Sequence, residues 1–357
     1  WPQVSEFEKL QDVSKQLTDH EKWKNSYNVA PSISPDGSKI AILSNKGGTM
    51  SIYFISPEDG TIIDKIIDGE RNSEFEEMHI LKPGITWSPD SKSFAFSAKS
   101  GYSDALFVVD VETYKKKKYR LGIEGIFRPT WSPDKNQIAF IGNNGEYSDI
   151  YIFDIDTEEL YNITDDHYSD DHVSWNINGK EIYFISDRND NIKRGLSNST
   201  SSNSFSNQMD IYSFSVNDNI IERITNTPEN ESYPISSRNN TLTYISDLNG
   251  INNIYIKNNN IDKGVPITNI STGITQLSWN GDKTQLIFTG FNNGGYDIFA
   301  LSNPEELINR KIQLKNATWK KETNDSTLKR SKDEELLTNK TDENQYTNYN
   351  FKENNKK

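Results

Sequence analysis

Trp87-Ser88-Pro89-Asp90 and, 44 residues later, Trp131-Ser132-Pro133-Asp134 are the same four residues, each followed by an apolar stretch and a further Asp. Such a recurrence marks a repeat protein. Weaker copies stand at Ile33-Ser34-Pro35-Asp36, Trp175-Asn176-Ile177-Asn178, Ile235-Ser236-Ser237-Arg238 and Trp279-Asn280-Gly281-Asp282, which places anchors at 33, 87, 131, 175, 235 and 279. Spacings of 54, 44, 44, 60 and 44 residues are the length of one four-stranded propeller blade plus two local insertions. The chain is therefore expected to be all-β, a six-bladed β-propeller of four-stranded antiparallel blades over residues 12–302.

Within each repeat the anchor ends an inner strand A, and Ser-Pro-Asp-Gly, as at Ser34-Pro35-Asp36-Gly37, has the residue types of a tight turn. Strand B follows as Ile40-Ala41-Ile42-Leu43 or Ile182-Tyr183-Phe184-Ile185, and strand C as Ile52-Tyr53-Phe54-Ile55 or Ile150-Tyr151-Ile152-Phe153. All are β-formers. Strand D tends to close on an apolar-Thr pair: Ile163-Thr164, Ile224-Thr225, Ile267-Thr268. The sixth repeat has no such ending, but Leu17-Thr18 stands ahead of the first anchor. The N-terminus is thus expected to supply the outer strand of blade six and to leave the ring without an open seam. The anchor indoles are read as core that packs blade on blade, about 200 Å² each.

Composition narrows the partners. The 357 residues carry 39 Lys and Arg against 52 Asp and Glu, a net charge of −13, which argues against nucleic acid or an anionic membrane surface. No apolar run approaches a membrane span, so direct insertion by this segment is not expected. There is no Cys, hence no disulfide framework and no thiol nucleophile. The basic run Lys115 to Lys118 reads as a solvated outer strand edge. Residues 1–11 read as a lead, 303–319 as an exit segment and 320–357, poor in aliphatic residues, as a disordered tail or linker. A start at Trp1 without a signal peptide is expected of a piece of a longer protein, here a monomeric propeller.

Because strands alternate in direction, A–B and C–D turns share one face of the wheel and B–C and D–A connections the other. From anchor to the opening of strand C the distance is 17 or 18 residues in five blades and 35 in blade four, so 188–208 is a B–C insertion. From the opening of strand C to the next anchor it is 25 to 27 residues, but 36 after Ser51, a D–A insertion. The link at His20-Glu21-Lys22-Trp23 is also long. All three elaborate one face, here the loop face; the other is the turn face. Elaborated loops on a rigid scaffold are where binding is expected.

On the loop face the candidate binding residues are Glu70, Arg71, Glu74, Glu76, Glu77 and His79 in the first insertion, Arg128, the cluster Asp165, Asp166, His167, Asp170, Asp171 and His172, and Arg188. The cluster has donors for a divalent cation, with Asp166, His167, Asp170 and His172 as the metal alternative, yet its spacing fits no zinc or EF-hand pattern. Solvated acidic connections are the simpler reading, and neither a metal nor a cofactor is expected. Ser103-Asp104 recurs as Ser148-Asp149, with Tyr296-Asp297 in the same place, so Ser103 is scaffold rather than nucleophile. No catalytic residue is expected.

The Trp-Ser-Pro-Asp repeats, the Ser-Asp after strand B and the Asp-Ile-Tyr opening of strand C resemble the propeller of the TolB family of bacterial periplasmic proteins, over roughly 12–302. Trp1-Pro2-Gln3-Val4, the stretch from Gly69-Glu70-Arg71 to Pro89 and the link from Gly290-Phe291 to Pro304-Glu305-Glu306-Leu307 look like large envelope proteins in which such a propeller follows a zinc-peptidase-like domain and precedes an outer-membrane barrel. The resemblance implies a periplasmic or outer-membrane-associated scaffold that binds a protein or peptide, with any catalysis upstream. The rival expectation is a metal-dependent hydrolase or lyase acting at the mouth of the channel.

Overall fold

The computed structural model describes residues 7–69, 74–145, 147–193, 208–237, 241–258 and 263–320. Residues 3–315 make one compact unit, and the described residues 316–320 belong to a second. Of the expectations above, Glu70, Arg71, most of the 188–208 loop and the tail beyond 320 lie outside the described residues.

Six four-stranded antiparallel sheets form the wheel. The first strand, β1, is the two-residue Lys15–Gln16, which follows a short helix at Leu10–Val13. Blade one is β2 (Asn28–Ile33), β3 (Ile40–Ser44), β4 (Ser51–Ile55) and β5 (Ile62–Ile67); blade two is β6 (Ile85–Trp87), β7 (Ser93–Ser100), β8 (Ser103–Asp110) and β9 (Lys116–Tyr119). Blade three is β10 (Gly125–Trp131), β11 (Gln137–Asn143), β12 (Ser148–Asp154) and β13 (Leu160–Asn162); blade four is β14 (Asp170–Trp175), β15 (Glu181–Ser186), β16 (Asp210–Ser215) and β17 (Ile220–Arg223). Blade five is β18 (Glu231–Ser236), β19 (Leu242–Ser246), β20 (Asn253–Lys257) and β21 (Val265–Pro266). Blade six, β22 (Ile274–Trp279), β23 (Gln285–Asn292) and β24 (Gly295–Ser302), takes β1 as its outer strand, with Lys15 opposite Ala300 and Gln16 opposite Phe299. The ring is closed by the N-terminus, as the orphaned Leu17-Thr18 predicts.

Position in the blade explains the sequence pattern. Strands β3 and β4 lie between neighbouring blades and are buried at every residue, so they read as continuous apolar runs. Outer strand β5 alternates half-buried and exposed residues. The anchor indoles are core: Trp87 Nε1 donates to the Ser32 carbonyl of the preceding blade (2.8 Å) and Trp175 Nε1 to that of Thr130 (3.1 Å). The basic run supplies β9, where Lys116 pairs with Glu74 and Lys117 with Glu158.

Each inner strand but that of blade two breaks register at a bulge. Its residue has left-handed φ: Ala30 (54°), Arg128 (51°), His172 (50°), Tyr233 (50°) and Gln276 (58°). Gly84 holds this place in blade two, where a Cβ would stand 2.6 Å from Arg128 Cα. The bulge corrects one anchor. Ser236 pairs with Leu242 as Trp175 pairs with Ile182, so the fifth anchor is Ser236 and not Ile235; the A–B turn of that blade is one residue shorter, which hid the shift.

The recurrent Asp and Thr form a clasp. Thr18, Thr164, Thr225 and Thr268 accept through Oγ1 the amide of an Ile early in strand C, respectively Ile298, Ile150, Ile211 and Ile254, at 2.8–3.0 Å. A residue at or near the start of strand C accepts an amide from the chain that follows strand D in all six blades: Ser51 from Gly69, Asp104 from Ile126, Asp149 from Asp166, Asp210 from Thr227, Asn253 from Ile270 and Asp297 from His20. A buried carboxylate is tolerated there because its lone pairs are filled by such donors.

Candidate functional site

The dense polar segment after β13 does not stay together. Asp166 and Asp170 turn inward onto Arg188, whose Nη1 donates to Asp166 (3.0 Å) and Nη2 to Asp170 (2.6 Å), while Nε reaches Ser186 (3.0 Å). Arg188 is fully buried, with its guanidinium over the rings of Phe184, Tyr168 and Tyr212. Burial raises both carboxyls above the usual range, Asp170 to about 7, and the Arg188 guanidinium opposes this only in part. The guanidinium thus stands where the metal alternative would put a cation. His167 instead meets the Tyr147 ring, His172 faces the channel, and Asp165 is exposed. Among the described residues no three His, Asp or Glu side chains are grouped as a metal cage.

In the first insertion Glu74, Glu76 and Glu77 are exposed. Backbone bonds of Glu76 and Glu77 to Lys99 tie the insertion to the end of β7. His79 is drawn in, with Nε2 2.8 Å from Asp104 Oδ2 and its ring edge on Phe127.

The bulges put one residue of each of five blades, with Gly84 for the sixth, at the loop-face end of the central channel. Here Arg128 donates through Nε to Asp171 (2.7 Å) and through Nη1 to the Tyr233 hydroxyl (2.8 Å), its guanidinium 5.0 Å from the Tyr233 ring centroid. Lys82 Nζ lies 3.5 Å from Asp171, and His172 packs on Tyr233 at 3.9 Å between centroids. Burial raises Asp171, but the Arg128 and Lys82 charges, the His172 ring beside it and the amide of His172 outweigh that, so its carboxyl lies well below the usual range. Burial, with Arg128 adding, pushes His172 down to about 3, so its imidazole is neutral near pH 7. Behind this mouth runs a cavity of about 310 Å³, reaching Pro35, Pro133, Ile177 and Lys283 at the turn-face end.

Sequence reasoning picked Arg128, Asp171 and His172 but missed Lys82, Tyr233, Gln276 and Lys283. Aligning the column three residues before each anchor finds Arg128, His172 and Gln276, and also Tyr233 once the fifth anchor is Ser236. Glu231 was missed too. Burial pushes its carboxyl up to about 7, although Thr227 and Thr225 donate to it.

These two buried groups predict opposite pH dependences. Between 4.5, the ordinary Glu value, and about 7, folded Glu231 holds a proton that the unfolded chain has lost. Its contribution to stability is therefore full below 4.5 and lost as pH rises through that window. Between about 3 and 6.5 the unfolded His172 takes a proton that the folded one refuses, so stability falls as pH drops through that range. In urea melts, Glu231→Gln flattens the decline from pH 5 to 8 and His172→Gln the decline from pH 6 to 4. An unchanged pH profile in either variant contradicts the burial that sets these values.

The family model described as "TolB beta propeller domain" matches residues 65–193. The fold is a TolB-like six-bladed β-propeller. Among solved structures, TolB from Acinetobacter baumannii is 15% identical with a TM-score of 0.53, over 78% of this chain and 64% of its own; this chain thus spans less than two thirds of that protein. A protein assigned as TolB from Agrobacterium tumefaciens is 17% identical, TM-score 0.53, over 78% of this chain and 90% of its own. An oligogalacturonate lyase in complex with manganese is 13% identical, TM-score 0.52, over 84% of this chain and 96% of its own. No curated protein sequence matches the chain.

Proposed function

We propose that this propeller is a non-catalytic scaffold of a bacterial periplasmic or outer-membrane-associated protein, holding a protein or peptide partner on its loop face. One observation carries the reading. Leu81 in the first D–A connection and Tyr102 in the B–C turn of blade two are each 88% exposed, the most exposed large apolar side chains in the described residues. They stand on the same face, beside the exposed Glu74, Glu76 and Glu77. Apolar side chains rimmed by charge suit an interface with another protein. The buried ionic groups of that face are meanwhile engaged with one another, Arg188 with two aspartates and Arg128 with Asp171.

The test is capture of partners from native envelope extract by the wild type and by Leu81→Asp with Tyr102→Asp. The double variant is expected to lose about tenfold or more in binding with an unchanged melting temperature, while Glu58→Lys and Lys135→Glu on the turn face bind as wild type does. Capture that survives the first pair and fails with the second moves the interface to the turn face. The rival reading, a metal-dependent hydrolase or lyase, has a fold neighbour in oligogalacturonate lyase. It predicts stoichiometric metal after dialysis that is lost on replacing Asp166, His167, Asp170 and His172.

A further inference from the structure

We infer that the central channel is a binding site for a small carboxylate ligand, received by the Lys283 ammonium at the turn-face end. The inference stands apart from the partner-binding reading, which concerns the outside of the opposite face.

The channel wall is unlike the rest of the molecule. Acidic residues outnumber basic ones by 52 to 39 in the chain, yet no Asp or Glu lines this cavity, whereas Lys283 and Arg128 both do. Lys283 lies in the A–B turn of blade six with φ 57° and has no acceptor or ion pair for its side chain among the described residues. Burial pulls the ammonium down to about 8, and no carboxylate of the described residues opposes it. Lys283 is half-buried at the rim; a partly desolvated cation without a counter-ion is unfavourable, and an incoming anion reduces that penalty. At the other end Arg128 has only Nε and Nη1 engaged, leaving Nη2 without an acceptor among the described residues.

Two features select carboxylate over phosphate. Phosphate sites are usually built from several free backbone amides, but several amides on the inner edge of this ring already have partners. Ala30 N donates to Gln276, Ile33 N to Ser278, Trp131 N to Thr86 and Ile177 N to Ser236. What remains is a point charge in a channel walled by Trp, Pro and small hydroxyl residues, of about 310 Å³, the lower end of the size range of small-ligand pockets. An organic acid of a few carbons matches that charge, that apolar wall and that volume.

Titration calorimetry with succinate, its neutral isostere succinamide and inorganic phosphate tests the site on the full chain at about pH 7 and about pH 9.5. Succinate is expected to bind at the lower pH and succinamide not to bind. Lys283→Gln is expected to weaken succinate about tenfold or more while melting as the wild type does. Raising the pH discharges the ammonium and is expected to weaken wild-type binding about tenfold or more, a loss that Lys283→Arg abolishes. Succinate binding unaffected by Lys283→Gln, phosphate binding tighter than succinate, or no heat with succinate at either pH each overturns the proposal. A thermal melt of Lys283→Gln alone, which removes a half-buried charge without a counter-ion, is expected at or above the wild-type temperature; a large drop also counts against a counter-ion-free lysine.

Discussion

Alanine at Arg188 is expected to cost about 3–5 kcal/mol of stability, because it strands two carboxylates that no longer have their cation. The guanidinium is fully buried, bonded to Asp166 and Asp170 at 3.0 and 2.6 Å and set among three aromatic rings. Nothing in that position can be replaced by water. Lysine at 188 should rescue little, since a single ammonium cannot present the two-pronged geometry. The triple variant Asp166→Asn, Asp170→Asn, Arg188→Met should recover most of the loss, because removing all the charges together leaves no unpaired one. Urea melts of the four proteins decide it. Wild-type stability in Arg188→Ala would mean that the aspartates find another cation, and metal content would then be the next measurement.

The second large effect lies at the seam. Asp297 accepts from Thr18 Oγ1 (2.9 Å), His20 N (2.9 Å), His20 Nδ1 (2.7 Å), Asn28 Nδ2 (3.0 Å) and Gln16 Nε2 (3.2 Å), binding the first residues of the chain to its last blade. Asp297→Ala leaves these donors buried and is expected to cost about 3 kcal/mol or more, at about 1–3 kcal/mol for each group that finds no other partner. Asp297→Asn should be milder, since Asn253 holds the same place in blade five and accepts from Thr268 and Ile270. Deleting residues 1–20 removes β1 together with Leu17, which is buried against Ile287, Ile298 and Ala300, and should lower the melting temperature at least as far as Asp297→Ala. Calorimetric scans compare the three. A deletion that melts with the wild type would show that β1 contributes nothing to closure.

The wheel was legible because its signals are local and repeated. A tight turn favours Ser, Asn, Asp, Pro and Gly, a strand sandwiched between blades must be largely apolar, and each repeat shows a version of both. Even the closing strand could be read, since Leu17-Thr18 carries the ending that the sixth repeat lacks. The candidate site was legible only in part. Asp166, Asp170 and His172 are near neighbours in sequence, but the strand β14 sends alternate side chains to opposite sides, and the bulge at His172 resets the order. Nothing local says that Arg188, 18 residues beyond Asp170, returns to meet it. Tyr233 was hidden by a one-residue error in the fifth anchor. Lys283 was hidden because a lysine in a turn ordinarily points to water, and only the closed ring makes that turn the rim of a channel.

The clasp at the start of each C strand bears on how such a wheel can be altered. Except after blade two, where the fastening amide is that of Ile126 inside β10, the D–A connections are fastened within a few residues of leaving their blades, by Gly69 in the longest case and by Asp166, Thr227 or Ile270 in short ones. Between β5 and β6 the chain then travels to Ile85 without loosening the sheet it left. Past Ile270 the exposed residues Ser271 and Thr272 behave like cargo hung on a finished frame, whereas Phe75 and Met78 past Gly69, and Tyr168 and Asp170 past Asp166, belong to the frame. Foreign loops grafted after Ile270, where Ser271 and Thr272 are exposed, would change what the wheel displays while leaving the fastened blades in place, so one core could be given many recognition surfaces.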